Sequence, residues 1–178
     1  MVAYTADAGL ASWGIYDIRK TSMTQKFVRK PTETRMFKDL GEAAYEFEKK
    51  KLVWNGHHWG IGPETFKSDQ GLAKFWDVNS VGFMPNGTEF VASMEAKNYP
   101  IFGTQYHPEM PSELWVGDMD INHSFESIQL QEHFARLFVM MARANPNTYG
   151  NFTETQQHEI SQYPRLQTTY QADVYVFK

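Results

Sequence analysis

Tyr99-Pro-Ile-Phe-Gly-Thr-Gln-Tyr-His-Pro-Glu109 is the stretch from which the fold is read. Asn98-Tyr99-Pro100 has the composition of a turn. Ile101, Phe102 and Tyr106 are β-formers in a run short enough for a buried strand, and Gly103 lets another backbone come close. Pro108 has no N–H to donate and fixes its own φ, so the strand stops at His107. A histidine at the C-terminal end of a buried strand lies where open α/β sheets place their chemistry. Glu109, two residues on, can turn back and hold the imidazole in one tautomer, the base–orienter half of a nucleophilic triad. The plainer reading of the same residue is a polar group at a strand end.

Outward from this stretch, the flanks organise in both directions. Met84-Pro-Asn86-Gly87 is a hairpin turn signal between Lys74–Val81 and Thr88–Glu95, with Phe90, Ala92 and Met94 on one side of the return strand. Leu52-Val-Trp54 begins a strand leading to Asn55-Gly-His57-His58-Trp59-Gly60. Neighbours on an extended segment point to opposite sides, so His57 and His58 cannot easily clasp one metal ion, and His57 among aromatic residues also fits simple packing. Gly60 to Gly71 reads as a loop with a short helix near Pro63. Asp39 to Lys50 reads as a helix capped by Asp39, with Glu42 at capping-box spacing and Leu40, Ala43, Ala44 and Phe47 on one face. Ile15–Ile18 and Lys26–Val28 are candidate short strands. Downstream, Ser124 or Ser127 starts a helix whose stripe is Leu130, Phe134, Leu137, Phe138 and Met141, with His133 on a polar face; Pro146 follows its end. Val174 and Val176 alternate with Tyr175 and Phe177 in a closing strand over 170–177. Asp118 and Asp120 match only part of a calcium loop, since Gly117 precedes them and the bidentate Glu is not at its place.

The bulk numbers bound the class. At 178 residues the chain can build one domain with a sizeable core. Hydrophobic content of 42% and charged content of 21% are ordinary for a globular protein, and 15% aromatics suit a filled core or an aromatic-lined cleft. A net charge of −4 gives no electrostatic footprint for nucleic acid. Lys49-Lys50-Lys51 follows Glu46 and Glu48 near a helix end and reads as a solvated face. No apolar run approaches the ~18 residues of a membrane span, so membrane insertion is not expected. The first residues lack the basic and apolar regions of a signal peptide. There are no cysteines, which excludes disulfides, thiolate chemistry and Cys-bound zinc within this chain.

The string Gly103-Thr-Gln-Tyr-His-Pro-Glu109 resembles the closing motif of the class I glutamine amidotransferase-like superfamily. Phe90-Val-Ala-Ser-Met-Glu95, Tyr99-Pro-Ile101 and Trp115 narrow the resemblance to γ-glutamyl hydrolases, the folate polyglutamate peptidases. Thr34-Arg-Met-Phe37 before a helix and Tyr163-Pro-Arg-Leu166 before a strand add to it, so that it runs from Arg35 to the C-terminus. The resemblance implies an α/β fold: the C-terminal portion of a flavodoxin-like three-layer sandwich, built on a mostly parallel sheet, with a β-hairpin and a C-terminal strand. Residues 1–178 are then a single incomplete domain. It also implies His107 as general base and acid, Glu109 as its orienter and His57 as a substrate contact, with neither cofactor nor metal. Lysosomal, vacuolar or secreted localisation follows from the family, with an organellar complex as the alternative.

In that family a Cys on a G-x-C-x-G elbow in the N-terminal half attacks the γ-glutamyl carbonyl. This chain has no Cys, and it begins just after where that elbow falls. Ser12 is the one candidate stand-in, but it lacks the Gly two residues before it that lets an elbow turn tightly. Met110 stands where a Lys usually follows the Glu. Without its first strands the family sheet exposes apolar edge and face, so a partner is expected: a chain carrying the N-terminal half with the Cys, or other subunits of a larger assembly. In the second case catalysis is lost and the fold serves as a binding module. Sequons at Asn86, Asn122 and Asn151 are compatible with a secretory route and little more.

Overall fold

The computed structural model describes residues 2–7, 14–115, 117–167 and 173–177. They form two compact units, Met1–Met141 and Ala142–Lys178. The first is mixed α/β. Its larger sheet has the order β2-β4-β5-β6, from Lys26–Phe27, Trp76–Phe83, Glu89–Ala96 and Phe102–Thr104. A second ladder pairs β1 (Gly14–Met23) with β3 (Val53–Gly60). Among the described residues every such ladder is antiparallel; the parallel contact is the isolated bridge Thr21↔Asp120. The mostly parallel sheet implied by the resemblance is therefore not what these residues build.

The β4–β5 hairpin organises the unit. Gly87 at φ +85° supplies the left-handed turn residue, and Met84 and Thr88 close it with a 2.8 Å backbone bond. Alternation along β5 sends Phe90 and Ala92 into one apolar cluster with Ile18, Met36, Phe37, Phe47, Leu52 and Leu130. Val91 goes to the other, with Ile61, Phe66, Leu72 and Trp76. The ladder shifts register on both sides of Ser80↔Ser93, so Met94 falls on the Val91 face and not, as alternation alone predicts, beside Phe90. Lys74 and Phe75 belong to a helix, Gln70–Phe75, capped by Asp69 through the Leu72 N–H at 2.9 Å, and the strand starts only at Trp76.

The buried carboxylate of Glu95 ties this hairpin to the Arg-Met-Phe string. It accepts from Arg29 Nη1 at 3.1 Å, from the backbone N–H of Arg35 at 3.3 Å and from that of Met36 at 3.1 Å. Arg35 donates to the carbonyls of Ala96 and Tyr99 and lies over the Phe102 ring.

Several helical expectations need correction. The predicted 39–50 helix is a 3-10 segment, Lys38–Tyr45, interrupted at Gly41 (φ +55°, ψ −135°) and followed by the short helix Glu46–Lys49. Asp39 does not cap it; Thr34 Oγ1 accepts from the Phe37 N–H at 3.1 Å instead. Phe37, Ala44 and Phe47 are fully buried, so core anchoring wins over helical regularity, while Ala43 faces solvent. In the long helix Phe125–Ala144, Ser124 accepts from the Ser127 N–H, and Leu130 and Leu137 are buried, but Phe138 is exposed. His133 turns inward and its Nε2 meets Met36 O at 2.9 Å, not a polar face.

The second unit holds a helix, Phe152–Gln157, capped by Asn151 through the Glu154 N–H at 3.0 Å. Two short strands, Arg165–Gln167 and Asp173–Tyr175, pair antiparallel, and Tyr163 packs on Phe177 at 4.5 Å. The closing strand is thus narrower than the predicted 170–177, of which residues 170–172 lie outside the described set. Ser12 also lies outside it. Among the described residues no helix is long and apolar enough to cross a membrane.

Candidate active site

Two segments build the site. Strand β3 carries Trp54, Asn55 and His57. The chain leaving β6 carries Tyr106 and His107, then turns at Pro108 into a helical turn, Met110–Glu113. They meet where the His107 N–H donates to Trp54 O at 2.9 Å, in an isolated antiparallel bridge. This differs from the expected end of a buried strand. β6 is only three residues long and half-buried throughout, and His107 lies beyond it. What comes close to Gly103 is a side chain and not a backbone: a Cβ there would sit 2.8 Å from Met94 Cε, the movable end of a flexible side chain.

Glu109 has helical φ/ψ as the cap of the turn, which folds its side chain back. Its Oε1 lies 2.8 Å from His107 Nδ1. A carboxylate accepts only, so Nδ1 carries the proton and Nε2 is the ring atom left to take one. Both side chains keep about half their surface, 42% and 54%, so the pair opens to solvent.

His57 is half-buried, with its ring 5.1 Å from that of Phe90 in an edge contact. Its ring nitrogens make no hydrogen bond of ordinary distance and angle, and their polar neighbours include the backbone of Trp59 and Tyr16. Burial pushes its pKa below the ordinary value of 6.5; the backbone of Trp59 and Tyr16 acts the other way, and charge on His107 lowers it further. His58 points to the opposite side, 2.6 Å from Asp17 Oδ1, as neighbours on a strand must. The Asp17 carboxyl is held below its usual range by Arg19 first and by His58. Asp118 and Asp120 are taken up by Lys20 at 2.8 Å and Thr21 at 3.0 Å. Among the described residues no group of three or more His, Asp or Glu side chains could hold a metal ion.

The sequence reads Trp54 as a strand residue and Gly56 as part of the segment leading to His57, and assigns neither to the site. The Trp54 ring, 4% exposed, lies 5.4 Å from the His107 ring at 63°. A Cβ on Gly56 would sit 2.6 Å from Trp54 Cη2, so the indole occupies the space that glycine leaves. Strand alternation alone does not announce a cross-strand neighbour. Trp115, quoted above as part of the motif, stacks on His123 at 3.8 Å and 13°, and His123 Nδ1 bonds Pro111 O at 2.8 Å, which braces the turn behind Glu109.

No protein-family model matches this chain. Curated proteins do. It is 29% identical over 138 residues to a γ-glutamyl hydrolase of Rattus norvegicus, covering 77% of this chain and 43% of that protein. The γ-glutamyl hydrolase of Homo sapiens is 26% identical over 153 residues, 85% and 48% of the two chains. γ-Glutamyl hydrolase 1 of Arabidopsis thaliana is 35% identical over 96 residues, 54% and 27%. The chain spans half or less of the length of these relatives. It is similar to hydrolases. More narrowly, it is similar to γ-glutamyl hydrolases.

Proposed function

We propose that this chain carries the proton-transfer part of a γ-glutamyl hydrolase-type cysteine peptidase, acting on γ-glutamyl bonds such as those of folate polyglutamates. The 2.8 Å contact between His107 Nδ1 and Glu109 Oε1 carries the reading. His107 Nε2 takes the proton of a cysteine thiol, and the thiolate attacks the γ-glutamyl carbonyl. The C–N bond then breaks as His107 returns the proton to the leaving amine, and water cleaves the thioester by the reverse use of the same base. Glu109 holds the tautomer and stabilises the imidazolium. His57, biased toward its neutral form, contacts substrate. The 178 residues contain no cysteine, so the thiol belongs to polypeptide outside them, on the same or another chain. In this reading the antiparallel hairpin is the C-terminal part of a three-layer amidotransferase-like sandwich, working in a lysosome, a vacuole or outside the cell.

The experiment pairs this chain with a polypeptide carrying the G-x-C-x-G elbow and follows hydrolysis of a γ-glutamyl-linked peptide with and without iodoacetamide. Thiol-sensitive turnover that needs His107 supports the reading; its absence overturns it. The missing thiol and Met110 at the position after Glu109 favour one second reading, a catalytically silent subunit that binds other proteins within a larger, organellar assembly. Native mass spectrometry showing a stable assembly without thiol-sensitive turnover selects it.

A further inference from the structure

We propose that Trp54 is a positioning residue for His107: its indole, seated in the space left by Gly56, holds the imidazole in the orientation that Glu109 reads. The inference rests on the proton-transfer role given to His107 above, but its geometry stands by itself. A half-exposed imidazole with one hydrogen bond to an exposed carboxylate is free to rotate about its Cβ–Cγ bond. A second, non-polar restraint is needed to keep Nε2 aimed one way.

Trp54 supplies it from across the bridge. Residues opposed in an antiparallel pair place their side chains on one face, and here the backbone bond from His107 N–H to Trp54 O sets that opposition. The rings meet edge to face at 5.4 Å and 63°. Trp54 is a buried core residue, and its ring edge is what the core presents to the His107 imidazole. Gly56 completes the device. Its φ is not in the left-handed region, so the backbone tolerates alanine, but a Cβ would strike Cη2 at 2.6 Å and Cζ3 at 2.8 Å.

The test needs no turnover. Long-range 1H–15N spectra of the histidine rings in the full chain, above the pH at which imidazole charges, report which nitrogen of His107 carries the proton. The native chain shows Nδ1–H, and Glu109→Gln weakens that signature. Trp54→Ala loses it in favour of the Nε2–H form that free imidazole side chains prefer, whereas Trp54→Phe retains most of it. Gly56→Ala, which keeps the indole but displaces it, behaves like Trp54→Ala. A residue that only stabilises the fold lowers the melting temperature without moving the tautomer. The inference is overturned if Trp54→Ala, folded by circular dichroism, keeps the native pattern. Should Trp54→Ala fail to fold, Gly56→Ala decides by the same criterion. Failure of the peptidase reading looks different: no thiol-sensitive hydrolysis, with the tautomer effects intact.

Discussion

Glu95 and Glu109 are two carboxylates on one stretch of chain, and they do opposite things. Glu95 sits on β5 with 3% of its surface exposed, saturated by Arg29, by two backbone N–H groups and by Asn79 at 3.5 Å. Glu109 sits past β6 with half its side chain in water and one partner, a histidine. The first network is closed: every donor has found its acceptor, and the result is a fixed path for residues 34–37. The second is open, with a ring nitrogen left over. Burial and saturation make an ion pair architecture; exposure and an unused atom make it available for chemistry.

The largest way to break this contrast is at the closed network. Glu95→Ala removes one of the acceptors of Arg29, which keeps Asn79 and Asp77, and the acceptor of two backbone N–H groups, and urea unfolding should show a loss of about 3–5 kcal/mol. His107→Ala, assayed with a thiol-bearing partner, should lower γ-glutamyl hydrolysis about 10²–10⁴-fold, the usual contribution of a positioned acid–base group. The melting temperature should hardly move. Glu109→Ala should cost no more than about 1 kcal/mol in the same urea titration, because exposed pairs contribute little. A loss as large as that at Glu95 would erase the distinction.

The smallest effect concerns pH. His57 has a folded pKa below its ordinary 6.5, so the unfolded chain binds its proton first. Its contribution to stability is complete above the unfolded value and is lost as pH falls from there through the folded one. Melting temperatures taken from about pH 8 to about pH 5 should decline less steeply in His57→Phe than in the native chain.

Local patterns carried some of this. The β4–β5 hairpin was legible because its signal is short-range: period-two alternation on both sides of Asn86-Gly87. The pairing of Glu109 with the His107 ring was foreseeable too, since two intervening peptide units and a proline leave few conformations. Segment 38–49 was not. Its spacing matches a helix, but Phe37, Ala44 and Phe47 are pulled into one core, and Gly41 takes the left-handed kink that this requires. His133 and Phe138 exchanged their expected roles because the buried face of their helix is set by what it packs against, including Gln131 donating to Leu52 O at 2.7 Å. Periodicity fixes the width of such a stripe more firmly than its rotation.

From its residues alone this chain declares an α/β protein without thiols, a turn-bounded hairpin, and a histidine braced by a carboxylate two residues away. Those are matters of composition and of neighbours along the backbone. Which strand His107 meets, that an indole flanks it, that a glycine makes room for the indole, and that one glutamate closes a network while another stays open were decided by the tertiary structure. The meeting of Trp54 with His107 joins residues some fifty positions apart, and only packing brings them within contact distance.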